Sequence, residues 1–299
     1  MMIMKIRFIF LTILCVVSFS INAWAHTFWI NCYDSQSHEP GHVMVSLGYG
    51  HSVPMDDLLD SDGAEMKLTS YELVDPAMKK SSLPMPVFDG NQGMKNASGI
   101  IVKRGDLGIS KLTFSEDAEE GTYQIGATSK PDYYTLVVND KGRRKWILKP
   151  MDEIKDAKEI IQSTKYQAMA KGFFTKGKWT DPKPLGHELE IIPMTDLASV
   201  RAGDLVEFKI LLMNEPFSST PSQIERITAV SNTFGGPDNF YIAADIARGK
   251  ARLRFSTPGQ WIVSVYHVKE VSKDERLKNL EKKCIQAHYV ASISFNVRP

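Results

Sequence analysis

Short apolar or alternating runs, each closed off by glycine, proline, asparagine or aspartate, recur along almost the whole chain. That punctuation demands a β fold. Runs at 27–31, 42–48, 67–74, 108–114, 122–127, 134–138 and 145–148 read as a first group of strands. In Gly121-Thr-Tyr-Gln-Ile-Gly-Ala127 apolar and polar residues alternate, as in a strand with one buried face. Asn139-Asp140-Lys141-Gly142 is turn chemistry. A second group follows at 187–192, 205–213, 223–230, 250–255, 261–267 and 289–297, with the charged stretch 272–283 read as a short helix or a solvated excursion.

Between the groups the period changes. Ile154, Ala157, Ile160, Ile161, Tyr166, Met169 and Ala170 approximate i, i+3, i+4 spacing, with Asp152 and Glu153 in what would be the first turn. This predicts an amphipathic helix over 152–174. Trp179-Thr-Asp-Pro-Lys-Pro-Leu-Gly186 is then a Pro-rich linker. The expected fold class is mainly β, with β-sandwich modules at 26–150 and 187–299 and the helix and linker at 151–186 between them.

The first 25 residues read as a signal peptide: Lys5 and Arg7, then the apolar run 8–17, then Ala23-Trp24-Ala25 as the recognised cleavage site. The apolar run is shorter than the roughly 20 residues a permanent spanning helix needs. An uncleaved anchor is the competing reading. Lipidation at Cys15 is not expected, because Thr12-Ile13-Leu14 lacks the small residue a lipoprotein site wants. Removing Lys5 and Arg7 leaves 34 basic against 35 acidic residues. That balance argues against nucleic-acid binding, and no later stretch is long and apolar enough for stable membrane insertion. Cys32 and Cys284 remain, either as one disulfide in an oxidising compartment or as two separately buried thiols.

Cleavage after Ala25 makes His26 the first residue. A first-position histidine offers an α-amine and an imidazole Nδ1 from one residue, so it chelates a metal without closing any loop. No His-x-x-x-His pair, Cys-x-x-Cys, Gly-x-Ser-x-Gly elbow, P-loop or Rossmann fingerprint is present. Any further ligand must therefore come from a separate strand or loop. Candidates are His38, His42, His51, His187, His267 and His288, each of which is otherwise a surface or hydrogen-bonded structural residue. His51 ranks first, because a strand ending at Gly-Tyr-Gly and running antiparallel to the N-terminal one places it beside His26. His42 is at the other end of that strand, about 30 Å away at 3.3 Å per residue. His187, His267 and His288 are weaker candidates. Gly235-Gly236-Pro237-Asp238 reads as a structural turn.

Several segments together resemble a bacterial family labelled domain of unknown function 4198, grouped with periplasmic components of nickel and cobalt uptake. They are His26-Thr-Phe-Trp-Ile30, Tyr49-Gly50-His51, Gly186-His-Glu-Leu-Glu-Ile-Ile-Pro193, Arg201-Ala-Gly-Asp-Leu205, Pro258-Gly-Gln-Trp261 and Ala287-His-Tyr-Val-Ala-Ser-Ile-Ser-Phe-Asn-Val297. The resemblance implies immunoglobulin-like sandwiches and a role in binding or handing over Ni²⁺ or Co²⁺, with His26 and His51 carried over as ligands. Ser52-Val53-Pro54-Met55-Asp56-Asp57 is poorer in proline than the family loop, and Asp56 or Asp57 is a candidate oxygen ligand there.

Three readings follow. The first is a non-enzymatic periplasmic metal-binding protein whose partners are the ion and a membrane transporter or receptor. The second is a structural or adhesive β-sandwich without metal. The third is a copper enzyme built on the N-terminal histidine. Ligand chemistry alone would favour copper over nickel or cobalt.

Overall fold

The structure is a computed structural model that describes residues 26–35, 41–61, 64–88, 90, 93–234 and 240–299. The leader 1–25, His38 and the turn at 235–238 lie outside the described residues.

The chain is mainly β. In order, the strands are β1 (Thr27–Ser35), β2 (His42–Gly50), β3 (Asp60–Ser61), β4 (Ala64–Glu65), β5 (Leu68–Val74), β6 (Lys80–Ser82) and β7 (Met94–Lys95). Next come β8 (Ile101–Val102), β9 (Ser110–Thr113), β10 (Gly121–Ser129), β11 (Asp132–Val138), β12 (Arg144–Ile147), β13 (Glu159–Lys176) and β14 (Leu189–Pro193). The last are β15 (Leu205–Leu212), β16 (Glu215–Pro216), β17 (Arg226–Ser231), β18 (Ile242–Asp245), β19 (Lys250–Arg254), β20 (Gly259–Glu270) and β21 (Gln286–Val297). The stretch expected as a short helix or excursion at 272–283 holds two 3-10 turns, Val271–Lys273 and Glu275–Leu280. No helix among the described residues is long and apolar enough to cross a membrane.

A ten-stranded sheet runs β18-β17-β20-β21-β13-β10-β5-β6, with β11 also on β13 and β12 on β11. Its two halves meet where β13 and β21 pair in parallel, Thr164 opposite Gln286 through Gly172 opposite Ser294. The three-stranded sheet β1-β2-β9 covers one face, over a core that includes Phe28, Ile30, Leu47, Ile125 and Ala170. The sheet of β14, β15, β16 and β19 covers the other, over a core that includes Ile191, Phe208, Trp261, Val263 and Ile293.

The amphipathic helix expected at 152–174 does not form. Only Met151–Glu153 is helical, as one 3-10 turn holding Asp152 and Glu153, and Glu159–Lys176 is the longest strand of the fold. The reason is that β13 is buried on both sides. Tyr166, Ala168, Ala170 and Phe174 enter one core, while Met169 and Phe173 enter the other. A strand covered on both faces has apolar residues at successive positions and loses its two-residue alternation. Its apolar residues can then fall by chance on helical spacing.

Close layer contact depends on small residues along this seam. Ser292 and Ser294 donate to the carbonyls of Phe28 and Ile30, tying β1 across β21. A Cβ at Gly172 would stand 2.6 Å from Cys32 Sγ and 2.9 Å from Ile30 Cγ2, so only glycine lets β1 approach β13 there. Both cysteines are free: Cys32 lies over that glycine, and Cys284 is buried in the C-terminal core.

The Pro-rich segment after β13 is irregular and straps the face of β10 turned away from its core. Thr122 and Thr180 exchange backbone-to-hydroxyl bonds at 2.8 and 2.9 Å, and Gln124 Nε2 donates to Lys183 O at 3.0 Å. Beside the strap lies a fully buried ion pair, Lys171 Nζ to Glu190 Oε1 at 2.8 Å. Burial pushes the Lys171 ammonium pKa down. Burial also opposes the Glu190 charge, but Lys171 and the Leu185 amide outweigh it and hold that carboxyl below its usual range.

Candidate metal site

The β1–β2 hairpin pairing sets the site. Thr27 lies opposite Gly50, so the next residue on each strand, His26 and His51, falls at the same end of the sheet. Their ring centroids are 4.3 Å apart, and the Tyr49 ring is 5.1 Å from that of His26.

Residues 51–57 fold back over the end of β2. The amides of Asp56 and Asp57 both donate to Tyr49 O, at 3.4 and 3.2 Å. Asp56 Oδ1 accepts from the amides of His51 and Ser52, at 2.6 and 3.2 Å, which fixes its carboxylate against the strand end. Gly50 is required here. Its φ is +120°, and a Cβ would stand 1.8 Å from Asp56 Oδ1. In this arrangement Asp56 Oδ2 lies 3.8 Å from His51 Nδ1, and Asp57 Oδ2 lies 3.4 Å from His26 Nε2.

Each imidazole thus has a carboxylate near one of its nitrogens. A carboxylate there favours the proton on that nitrogen and the lone pair on the other. For His26 the remaining nitrogen is Nδ1, the one nearest its own backbone nitrogen. For His51 the ring nitrogen on the side away from Asp56 is Nε2. Two imidazoles and two carboxylates form the mixed nitrogen and oxygen donor set that divalent first-row metals accept. As they stand, no three His, Cys, Asp or Glu side chains among the described residues close into a metal cage.

Under the histidines lies a layer of tyrosines that no local pattern in the sequence announces. Tyr166 donates its hydroxyl to His26 O at 3.2 Å, and the hydroxyls of Tyr266 and Thr27 are bonded to each other. Burial, and then the proximity of Tyr134, Asp57 and Asp132, pushes the Tyr49 phenol up to about 12. Burial also raises Tyr166 and Tyr266. These phenols stay protonated at neutral pH, and that of Tyr166 donates to His26 O. Beside His51 a narrow cleft runs toward Tyr266, walled by Thr27, Thr228 and Ser264. Tyr49 lies two residues before His51, in the segment Tyr49-Gly50-His51. Tyr166 and Tyr266 reach the site only through the pairing of β13, β21 and β20.

The structure brings His26, His51, Asp56 and Asp57 together and leaves the other described histidines, His42, His187, His267 and His288, out of that group. His42 pairs with Thr113 at the opposite end of β2. His288 packs its ring against Tyr166 and Tyr266, at 5.6 and 6.3 Å, and burial followed by the nearby His267 lowers its pKa. His267 is buried, with Nδ1 2.9 Å from Glu225 Oε1 and its ring 4.7 Å from Phe217. His187 sits over Gly126 beside the buried Lys171–Glu190 pair. Burial and the Lys171 charge push its pKa down to about 4.

Residues 23–269 match the family model described as Domain of unknown function (DUF4198). No curated protein matches the chain.

Proposed function

The chain belongs to the domain of unknown function 4198 family, and on that premise we propose that it is a periplasmic protein that binds a divalent transition metal, nickel or cobalt, for a membrane uptake partner. The pairing of His26 with His51 carries this reading: two rings 4.3 Å apart, each with a carboxylate beside one nitrogen. Cleavage after Ala25 supplies the third nitrogen. The metal is then held by the α-amine and Nδ1 of His26 and by Nε2 of His51. Asp57 and Asp56 orient the two rings through their other nitrogens, and such outer carboxylates are a regular partner of metal-bound histidine.

The half-exposed position of both rings suits a carrier that must release its ion. The Irving–Williams order would give such a site to copper, so nickel or cobalt loading depends on what the uptake system supplies. In the finer reading of the fold, the two packed halves are immunoglobulin-like sandwich modules that share the ten-stranded sheet.

The test is calorimetric titration with Ni²⁺ and Co²⁺ of a chain beginning at His26, against one carrying a single extra residue before it. The extension buries the α-amine in a peptide bond and is expected to weaken binding at least about tenfold, or roughly 1.4 kcal/mol. Equal binding by the two forms would remove the chelate from the proposal.

A further inference from the structure

The total charge of the chain is close to zero, but its cations are unevenly placed. The turn and outer strand of the β11–β12 hairpin carry Lys141, Arg143, Arg144, Lys145 and Lys149, with Asp140 the single acid between 139 and 149. All five cations are exposed, and none has an ion-pair partner among the described residues. The acids that follow, Asp152, Glu153 and Asp156, lie beyond Pro150, and Glu159 is across β11 from β12. The turn is rigid: Asn139 Oδ1 accepts from the amides of Lys141 and Arg143, at 3.0 and 2.9 Å.

Among these cations stand two large apolar side chains turned to water, Trp146 at 52% and Leu148 at 62% exposure. Among the described residues β12 pairs only with β11, so it is an edge strand of the ten-stranded sheet. Lysine on an edge strand is a common guard against edge-to-edge aggregation. That accounts for Lys145 but not for an exposed tryptophan and leucine beside it, which add the very apolar surface such a guard works against.

We propose that hairpin 132–149 docks the protein on an anionic phospholipid surface, with Trp146 and Leu148 at the headgroup boundary and the five cations on lipid phosphates. The mixture fits lipid better than a soluble acidic ligand. An indole favours the interfacial zone, where its apolar body and N–H are both accommodated. Lysine and arginine gain about tenfold or less each near an anionic leaflet, and several together accumulate. Outside residues 132–149 the chain after residue 25 holds 29 basic against 33 acidic residues, so it adds no attraction to an anionic surface and the orientation is set by this hairpin. Asp132, at the start of β11, pairs with Tyr166, whose hydroxyl reaches His26 O. Roughly 20 Å of strand therefore separates the histidine end from the hairpin turn. Docking through the turn would hold the site near the membrane without burying it.

The experiment is co-sedimentation of the purified chain beginning at His26 with vesicles of phosphatidylcholine containing about a third phosphatidylglycerol, against phosphatidylcholine alone. Binding is expected only to the anionic vesicles, with a blue shift in tryptophan emission that Trp146→Ser removes, and release as salt approaches about 1 M. The triple variant R143E/R144E/K145E should bind at least about a hundredfold less tightly, and Trp146→Ser about tenfold less. All four positions are exposed, and unchanged melting curves will show that the variants fold. Equal binding to both vesicle types, or wild-type binding by the triple variant, overturns the proposal. So does polyglutamate binding as tight as vesicle binding and indifferent to Trp146→Ser, which would point to an acidic protein partner instead.

Discussion

Two histidine–carboxylate arrangements in this molecule use the same groups in opposite surroundings. At the hairpin end His26 and His51 stand 3.4 and 3.8 Å from Asp57 and Asp56, with the histidine side chains 38% and 37% exposed. In the C-terminal half His267 and Glu225 are 2.9 Å apart, and both are more than nine-tenths buried. The tighter pair is the poorer candidate for an ion. It is enclosed by core side chains such as Phe217, and its second nitrogen, Nε2, has no hydrogen-bond partner among the described residues. Its work is to hold β20 to the segment before β17. The looser pair stands half-exposed at the end of its strands, where an ion can reach the rings from solvent. Residue type therefore says little about a site until its access to solvent is known.

Reciprocal substitution breaks this comparison most severely. Replacing both His26 and His51 by alanine should lower Ni²⁺ affinity at least about a hundredfold, roughly 3 kcal/mol in titration calorimetry. The metal-free protein should keep its stability within about 0.5 kcal/mol, as half-exposed positions allow. Glu225→Ala should do the reverse. It strands a buried imidazole and costs about 3 kcal/mol in urea unfolding, with nickel affinity unchanged. If each change altered both properties alike, the division between a binding pair and a packing pair would be untenable.

His187 sharpens the comparison through pH, being half-buried and near a cation rather than bonded to a carboxylate. Its folded pKa is about 4, below the 6.5 of a free imidazole. As pH falls, the unfolded chain takes up this proton first, so unfolding is favoured. The contribution of neutral His187 is complete above pH 6.5 and is lost toward pH 4, by about 3 kcal/mol. Urea midpoints across that window should slope for the wild type and flatten for His187→Gln. An unchanged slope would assign the acid sensitivity to another group. The smallest effect is expected from Asp56→Asn or Asp57→Asn, each weakening metal binding about tenfold, near 1.4 kcal/mol. Thermal melting should barely move, and a loss of folding instead would mark these residues as structural.

Much of the strand content is legible in sequence because half-buried strands carry a two-residue alternation closed by turns. β10 is the clearest case, sending Tyr123, Ile125 and Ala127 into the core and Thr122 and Gln124 toward the strap. The neighbourhood of His26 and His51 is legible too, since two successive strands pair far more simply than distant ones. The exposed β7–β8 hairpin and the two-residue strands escape notice, being too short to show any period. The central strand β13 is misread because burial on both faces removes the alternation itself. The tyrosines under the site leave no trace, since Tyr166 and Tyr266 come from positions more than a hundred residues away in sequence.

By itself the sequence determined that the chain is β-rich, where its clearest turns fall, and that a histidine stands at the start of one strand and just past the end of its neighbour. These are local properties, settled by side-chain alternation and backbone preference within a few residues. Only the tertiary structure decided that β13 and β21 join two halves into one sheet, that Asp56 and Asp57 fold back onto the histidines, and that His267 is enclosed while His26 is open. Those outcomes depend on which surfaces meet, and a pattern of apolar residues records that a side chain is buried without recording against what.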